Sequence, residues 1–168
     1  ILALPATLMM MRRANPLYLG RAGQVERWAI LLGLGAAAYA AFADRWRAKI
    51  RQWEAKAVPL KGVAVVSQHK AWAYLYDWLG LREVATLEPK PGVEPSLAHL
   101  ARVREQAAAS KPRMVIRATY NPARPAEWFS REAKLPEVVL PFTVGAPEAG
   151  DLTALFETTV LRLLKALQ

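Results

Sequence analysis

No cysteine occurs in the 168 residues of this chain. That absence excludes disulfides, thiolate metal sites and cysteine nucleophiles, but it leaves the compartment open. Histidine is nearly as scarce, with only His69 and His99. A metal bound here must take its further ligands from carboxylates or from groups outside the chain. Also missing are a G-x-G-x-x-G turn, a Walker loop, a G-x-S-x-G elbow and an H-E-x-x-H helix. Gly33-Leu-Gly35 falls within a helical pattern rather than after a strand, so it is no nucleotide loop. Ser67 and His69 lie two apart with no positioned acid to complete a triad. No residue is assigned a catalytic role, and the chain does not read as an enzyme.

There is no low-complexity tract, no solenoid-period repeat and no run of five like charges. With 54% hydrophobic and 22% charged residues, the chain reads as a folded protein with room for one ordinary domain or one large lobe. The net charge of +9 raises an anionic partner. The basic residues are dispersed among acids, however, which favours a solvated basic surface over a nucleic-acid site. Ile1 to Arg13 is apolar and ends in two arginines, the reverse of a signal peptide's order, and the chain begins without Met. The expectation is a mature or truncated piece of a longer protein.

What is present begins with a short helix over residues 3–13 and a loop at Asn15-Pro16, Gly20 and Gly23. A long helix then runs from about Gln24 to Ala57, with Trp28, Leu31, Leu32, Gly35, Tyr39, Phe42, Trp46, Ile50 and Trp53 at helical intervals. At 1.5 Å per residue it is about 50 Å long. Its first half is apolar nearly all round. The run between Arg27 and Asp44 is about 15 residues, short of the ~20 needed to span a bilayer, so burial against protein on two sides is expected. In the second half Arg45, Arg47, Arg51, Glu54 and Lys56 mark a solvent face. Four short apolar runs follow, Val63–Val66, Glu83–Leu87, Met114–Ala118 and Glu137–Leu140, alternating with helices over Ala71–Leu79, Ser96–Ala109, Ala126–Lys134 and Asp151–Leu167. Ser96 and Asp151 are in place as N-caps. This alternation predicts an α/β fold, a four-stranded parallel sheet with flanking helices, preceded by a long backbone helix.

Open parallel sheets place ligands at the carboxyl ends of their strands. His69 stands there, after Val63-Ala-Val-Val-Ser-Gln, and Glu88, Glu94, Glu148 and Asp151 are the acids near that edge. A lone strand-end histidine serves as a metal ligand or as a structural, exposed side chain, and the residues alone leave both open. His99 reads as a partly exposed helix histidine. Trp72, Tyr74, Tyr76 and Trp78 share a helix, so they divide between core and surface, whereas a stacking platform for bases needs strands.

The segment from Pro59 to Leu75, and then from Trp78 through Glu88-Pro-Lys-Pro-Gly92 to Leu100, resembles the C-terminal lobe of the zinc/manganese-type solute-binding proteins of ABC transporters, the family that includes adhesion-type metal receptors. Val139-Leu-Pro-Phe-Thr-Val-Gly145 and the closing helix fit the same lobe. The resemblance covers roughly residues 45–168. It implies two lobes joined by one rigid helix with the metal between them. Residues 1–23 would then be a remnant of the first lobe or a connecting segment, 24–57 the linking helix and 58–168 the C-terminal lobe. It further implies a periplasmic or extracytoplasmic location, a membrane permease as partner, and zinc as cargo with manganese as the alternative. His69 stands at the family's strand-end ligand position. The chain departs from the pattern in two places. Either Asn15-Pro-Leu17-Tyr18 is the family's Asn-Pro-His segment with Leu17 where the histidine belongs, or Leu4–Gly23 resembles the helix and Asn-Pro turn late in the first lobe with the ligand-bearing loop deleted; that ligand is absent in both cases. Phe142-Thr-Val-Gly145 stands where some members carry an aspartate, with Asp151 nearby but displaced and Glu148 the other acid of that loop. The site therefore reads as incomplete, with His69, Asp151 and Glu148 as its candidate ligands. The competing expectation is a metal-free interaction module derived from this lobe, a homo-oligomer through the apolar helix 28–42.

Overall fold

Strands at the centre of a parallel sheet are covered on both faces, so their sequences are near-continuously apolar. β1 (Ala64–Ser67) and, apart from Arg117, β3 (Met114–Ala118) have this character and form the middle of the sheet. β2 (Arg82–Thr86) and β4 (Glu137–Leu140), which mix apolar with charged residues, form its edges. The computed structural model describes residues 21–145, 147 and 149–168. All four strands pair in parallel, in the order β2-β1-β3-β4. β3 and β4 match the expected bounds. β1 runs one residue further than expected, through Ser67, and β2 starts one residue earlier, at Arg82. Register explains the offset: Ala64 pairs with Arg82 and Ser67 with Thr86, so ladder partners, not hydrophobicity, set the ends.

The chain divides into two compact units between Ala48 and Lys49, and helix α1 (Arg21–Lys56) runs through the division. In the first unit the helix carries Trp28, Leu31, Leu32, Leu34, Tyr39 and Phe42, all exposed. The expected burial of this stretch is not what the structure has. Periodicity reports that a helix forms, while burial depends on what surrounds it. Phe42 stacks on Trp46 one turn later at 5.9 Å, and Asp44 pairs with Arg47. Among the described residues no helix is long and apolar enough to cross a membrane.

The second unit contains the sheet. Val66 of β1 and Val115 of β3 face α3 (Leu97–Ala108) and α4 (Ala123–Ala133), where Leu100, Val103, Ala107, Ala126 and Phe129 close a core. Successive strand residues point to opposite faces, so Ser67 faces the other way. There its hydroxyl meets the phenol of Tyr76 on α2 (Ala73–Leu79) at 2.7 Å. Burial pushes the Tyr76 phenol well above its ordinary range, outweighing the bond from Ser67. α5 (Leu152–Lys165) packs on this side as well: its Phe156 stacks on fully buried Trp53, and Trp78 meets both edge-on. Tyr74, by contrast, is 93% exposed, so the aromatic run of α2 divides between core and surface as its helical spacing implies.

Caps set the helix ends. Ser96 Oγ accepts from the backbone N–H of His99 and Asp151 Oδ1 from that of Ala154. α4 begins three residues before its expected start. Pro125 falls in its first turn, where the backbone N–H groups have no helical partner and a proline loses nothing.

Phe129 is 1% exposed at the centre of the α3–α4 core, so Phe129→Ala should lower unfolding free energy by about 3–5 kcal/mol in urea titrations. Glu157 on α5 accepts from Lys56 and from the Trp53 indole at 2.6 Å, and these bonds, Lys56 first, hold its carboxyl below the ordinary value of 4.5. A carboxyl depressed by folding stabilises the protein above its unfolded value and loses that contribution as pH falls through the folded one. The stability gap between wild type and Glu157→Gln should therefore be full near neutrality and close progressively as pH drops below 4.5.

Candidate metal centre

The position of His69 follows from backbone pairing on both flanks of β1. Beyond the strand ends, Leu87 donates its N–H to the Ser67 carbonyl (2.8 Å), Glu88 to that of Gln68 (3.1 Å), and Gln68 to that of Ile116 (2.8 Å). Gln68 is buried and its amide Nε2 donates to the Pro122 carbonyl at 2.8 Å, fastening the strand tip to the start of α4. The next residue, His69, emerges from the sheet edge with its backbone held.

The β1–β2 register carries one step further. Ser67 lies opposite Thr86, so His69 comes level with Glu88. Their side chains meet: His69 Nδ1 lies 2.7 Å from Glu88 Oε2, with 29% and 13% of the two side chains exposed. The same carboxylate oxygen accepts the N–H of Gly92 at 3.0 Å. Gly92 has φ +78°, the left-handed region that favours glycine, and Val93 closes the turn by donating to Lys90. The Glu88-Pro-Lys-Pro-Gly92 loop thus folds over its own carboxylate and presents it to the imidazole.

Neighbouring loops add aromatic side chains. Trp72 before α2, Tyr120 after β3 and Phe142 after β4 form an edge-to-face chain, with centroids 6.1 Å apart for Trp72–Phe142 and 4.9 Å for Tyr120–Phe142. Three strand-end loops are tied together by these contacts.

The other candidate ligands are placed differently. Asp151 is exposed and uses Oδ1 to cap α5 at 2.7 Å. Glu148 lies outside the described residues, as do the Asn15-Pro16 segment and the helix expected over 3–13. His99 is half-buried on α3. Among the described residues, no group of three or more His, Cys, Asp or Glu side chains is arranged to hold a metal ion. The partner that sequence reasoning placed only near the edge is Glu88. Its signal was its place immediately after the second strand, but the register that sets it beside His69 is a tertiary fact.

A profile of the family described as ZnuA, zinc-uptake complex component A, periplasmic, matches residues 35–166. That is well over half of the sequence, and the chain belongs to this family. It is a non-enzymatic family of periplasmic solute-binding components of metal-ion ABC transporters. Among solved structures, the chain is similar to FpvC of Pseudomonas aeruginosa in complex with Mn2+, at 23% identity over 87% of this chain and 57% of that one, with a TM-score of 0.62. It is similar to a crystal structure of ZnuA at 21% identity over 79% and 49% of the two chains, TM-score 0.65. A Mn-bound periplasmic metal binding protein from Candidatus Liberibacter asiaticus matches at 16% identity over 76% and 49%, TM-score 0.62. At these identities the likeness shows a shared fold. This chain spans about half the length of the solved structures it matches. A search of curated proteins finds no match.

Gly92→Ala should cost about 1–2 kcal/mol, because a Cβ is strained in the left-handed region although open space surrounds it. The check is a lower urea midpoint together with loss of protection of the Gly92 amide from hydrogen exchange.

Proposed function

We propose that this chain is the C-terminal lobe and linking helix of a metal-capturing receptor for an ABC importer, with His69 as a ligand of the transported ion. The observation that supports it is the placement of His69: at the carboxyl edge of a parallel sheet, on a doubly paired strand tip, with its imidazole gripped by Glu88. The division proposed from sequence goes with it: residues 1–23 as first-lobe remnant or connector, 24–57 as linking helix, 58–168 as lobe. Zinc is the favoured cargo because imidazole suits it, with Mn2+ the alternative. Capture consists of exchanging water on the ion for an imidazole nitrogen and carboxylate oxygens, followed by transfer to a membrane permease outside the cytoplasm. Asp151, through the oxygen its cap leaves over, and Glu148 are the proposed carboxylate contributors.

A single imidazole is a weak zinc site by itself. Calorimetry should find weak zinc binding by this chain, abolished in His69→Ala. Nanomolar affinity that survives the substitution overturns the assignment.

A second reading rests on the exposed Trp28, Leu31, Leu32, Leu34, Tyr39 and Phe42 of α1. Contiguous apolar surface of this kind marks an interaction site. In this reading the chain is a metal-free module that oligomerises through residues 28–42. Size-exclusion chromatography separates the two: a helix-mediated dimer persists in chelator and dissociates on Leu31→Glu/Leu32→Glu, while a metal-dependent one responds to chelator.

A further inference from the structure

We infer that Glu88 is a positioning residue, one that fixes which nitrogen of His69 faces a metal ion. The inference rests on the proposed role of His69 and assigns the atoms within it. A neutral imidazole has one N–H and one lone pair, on different nitrogens. Glu88 as a carboxylate can only accept, so at 2.7 Å from Nδ1 it requires the proton there. The lone pair is then on Nε2, on the far side of the ring from Glu88. Oε2 is itself fixed by the Gly92 N–H, so the carboxylate is a preset acceptor and not a mobile one. Its side chain is only 13% exposed, which limits competition from water for that oxygen.

Two consequences follow. An unconstrained histidine side chain favours the opposite tautomer, with the proton on Nε2, so without Glu88 the ring must reorganise before it can ligate through Nε2. Glu88 removes that step and, as an anion behind the ring, makes Nε2 a stronger donor to a divalent cation. Glu88 cannot itself join Nε2 on one ion, because the ring stands between them. The loop 88–92 therefore serves the site from behind and is no part of the ion's own shell.

The test uses nitrogen-15 spectra of the His69 ring in the metal-free chain, then in the presence of Zn2+ alone, for wild type, Glu88→Gln and Glu88→Ala. The expected metal-free wild type shows the Nδ1–H tautomer, and zinc shifts Nε2. Glu88→Gln keeps an amide oxygen to accept from Nδ1 and should retain the tautomer, with affinity lowered only a few-fold. Glu88→Ala should revert toward the Nε2–H tautomer and lose about 10–100-fold in affinity. A purely structural Glu88 would lower stability in both variants without this split. An Nε2–H tautomer in metal-free wild type, or an alanine variant with wild-type tautomer and affinity, overturns the positioning role. An Nδ1–H tautomer whose signals ignore zinc overturns the reading of His69 as ligand, and Glu88's service to a metal falls with it.

Discussion

Strand β1 is paired in parallel along both edges, and the carboxyl end of the lobe depends on that constraint. With β2 on one flank and β3 on the other, the backbone from Ala64 to Gln68 has no freedom to slide. A one-residue slip would turn Val66 out of the α3–α4 core and put Ser67 in its place. It would also separate His69 from Glu88, since their meeting follows from the Ser67–Thr86 register. Buried Gln68 adds a side-chain bond to Pro122, so the tip is held by the start of α4 as well as by its neighbours. Precision at the edge is a property of the sheet, and the imidazole inherits it.

Most of the architecture was legible from residue pattern. Short apolar runs between helical stretches predicted four parallel strands, and β3 and β4 fall on the expected residues. Ser96 and Asp151 cap the helices they precede. What pattern could not supply was set by partners. Ser67 belongs to β1 because Thr86 and Ile116 pair with it, and α4 starts at Ala123 because a first-turn proline is harmless. Trp28 and its neighbours looked like core because apolar helices usually are; their exposure in this chain has no sequence signature.

The site divides in the same way. His69 could be singled out from its place after a strand, and the family from the segment around it. The carboxylate at its back could not be chosen from among Glu88, Glu94, Glu148 and Asp151, because parallel register between segments a crossover apart is not written in either of them. Asp151 shows the converse: one short acidic side chain fits two descriptions, and the structure shows it engaged as a helix cap.

The strand order β2-β1-β3-β4 also bears on how the chain emerges during synthesis. Parallel strands cannot form hairpins, so each pairing waits for a crossover. β2 reaches β1 after one short helix, and β4 reaches β3 after another. The second flank of β1, however, waits from Ser67 until Met114 has been made, the longest delay of any pairing in the sheet. For that interval a nascent strand rich in valine presents a row of unpaired backbone groups, the kind of edge on which unfinished chains aggregate. The strand that holds the histidine most firmly in the finished lobe is the one left open longest on the way to it.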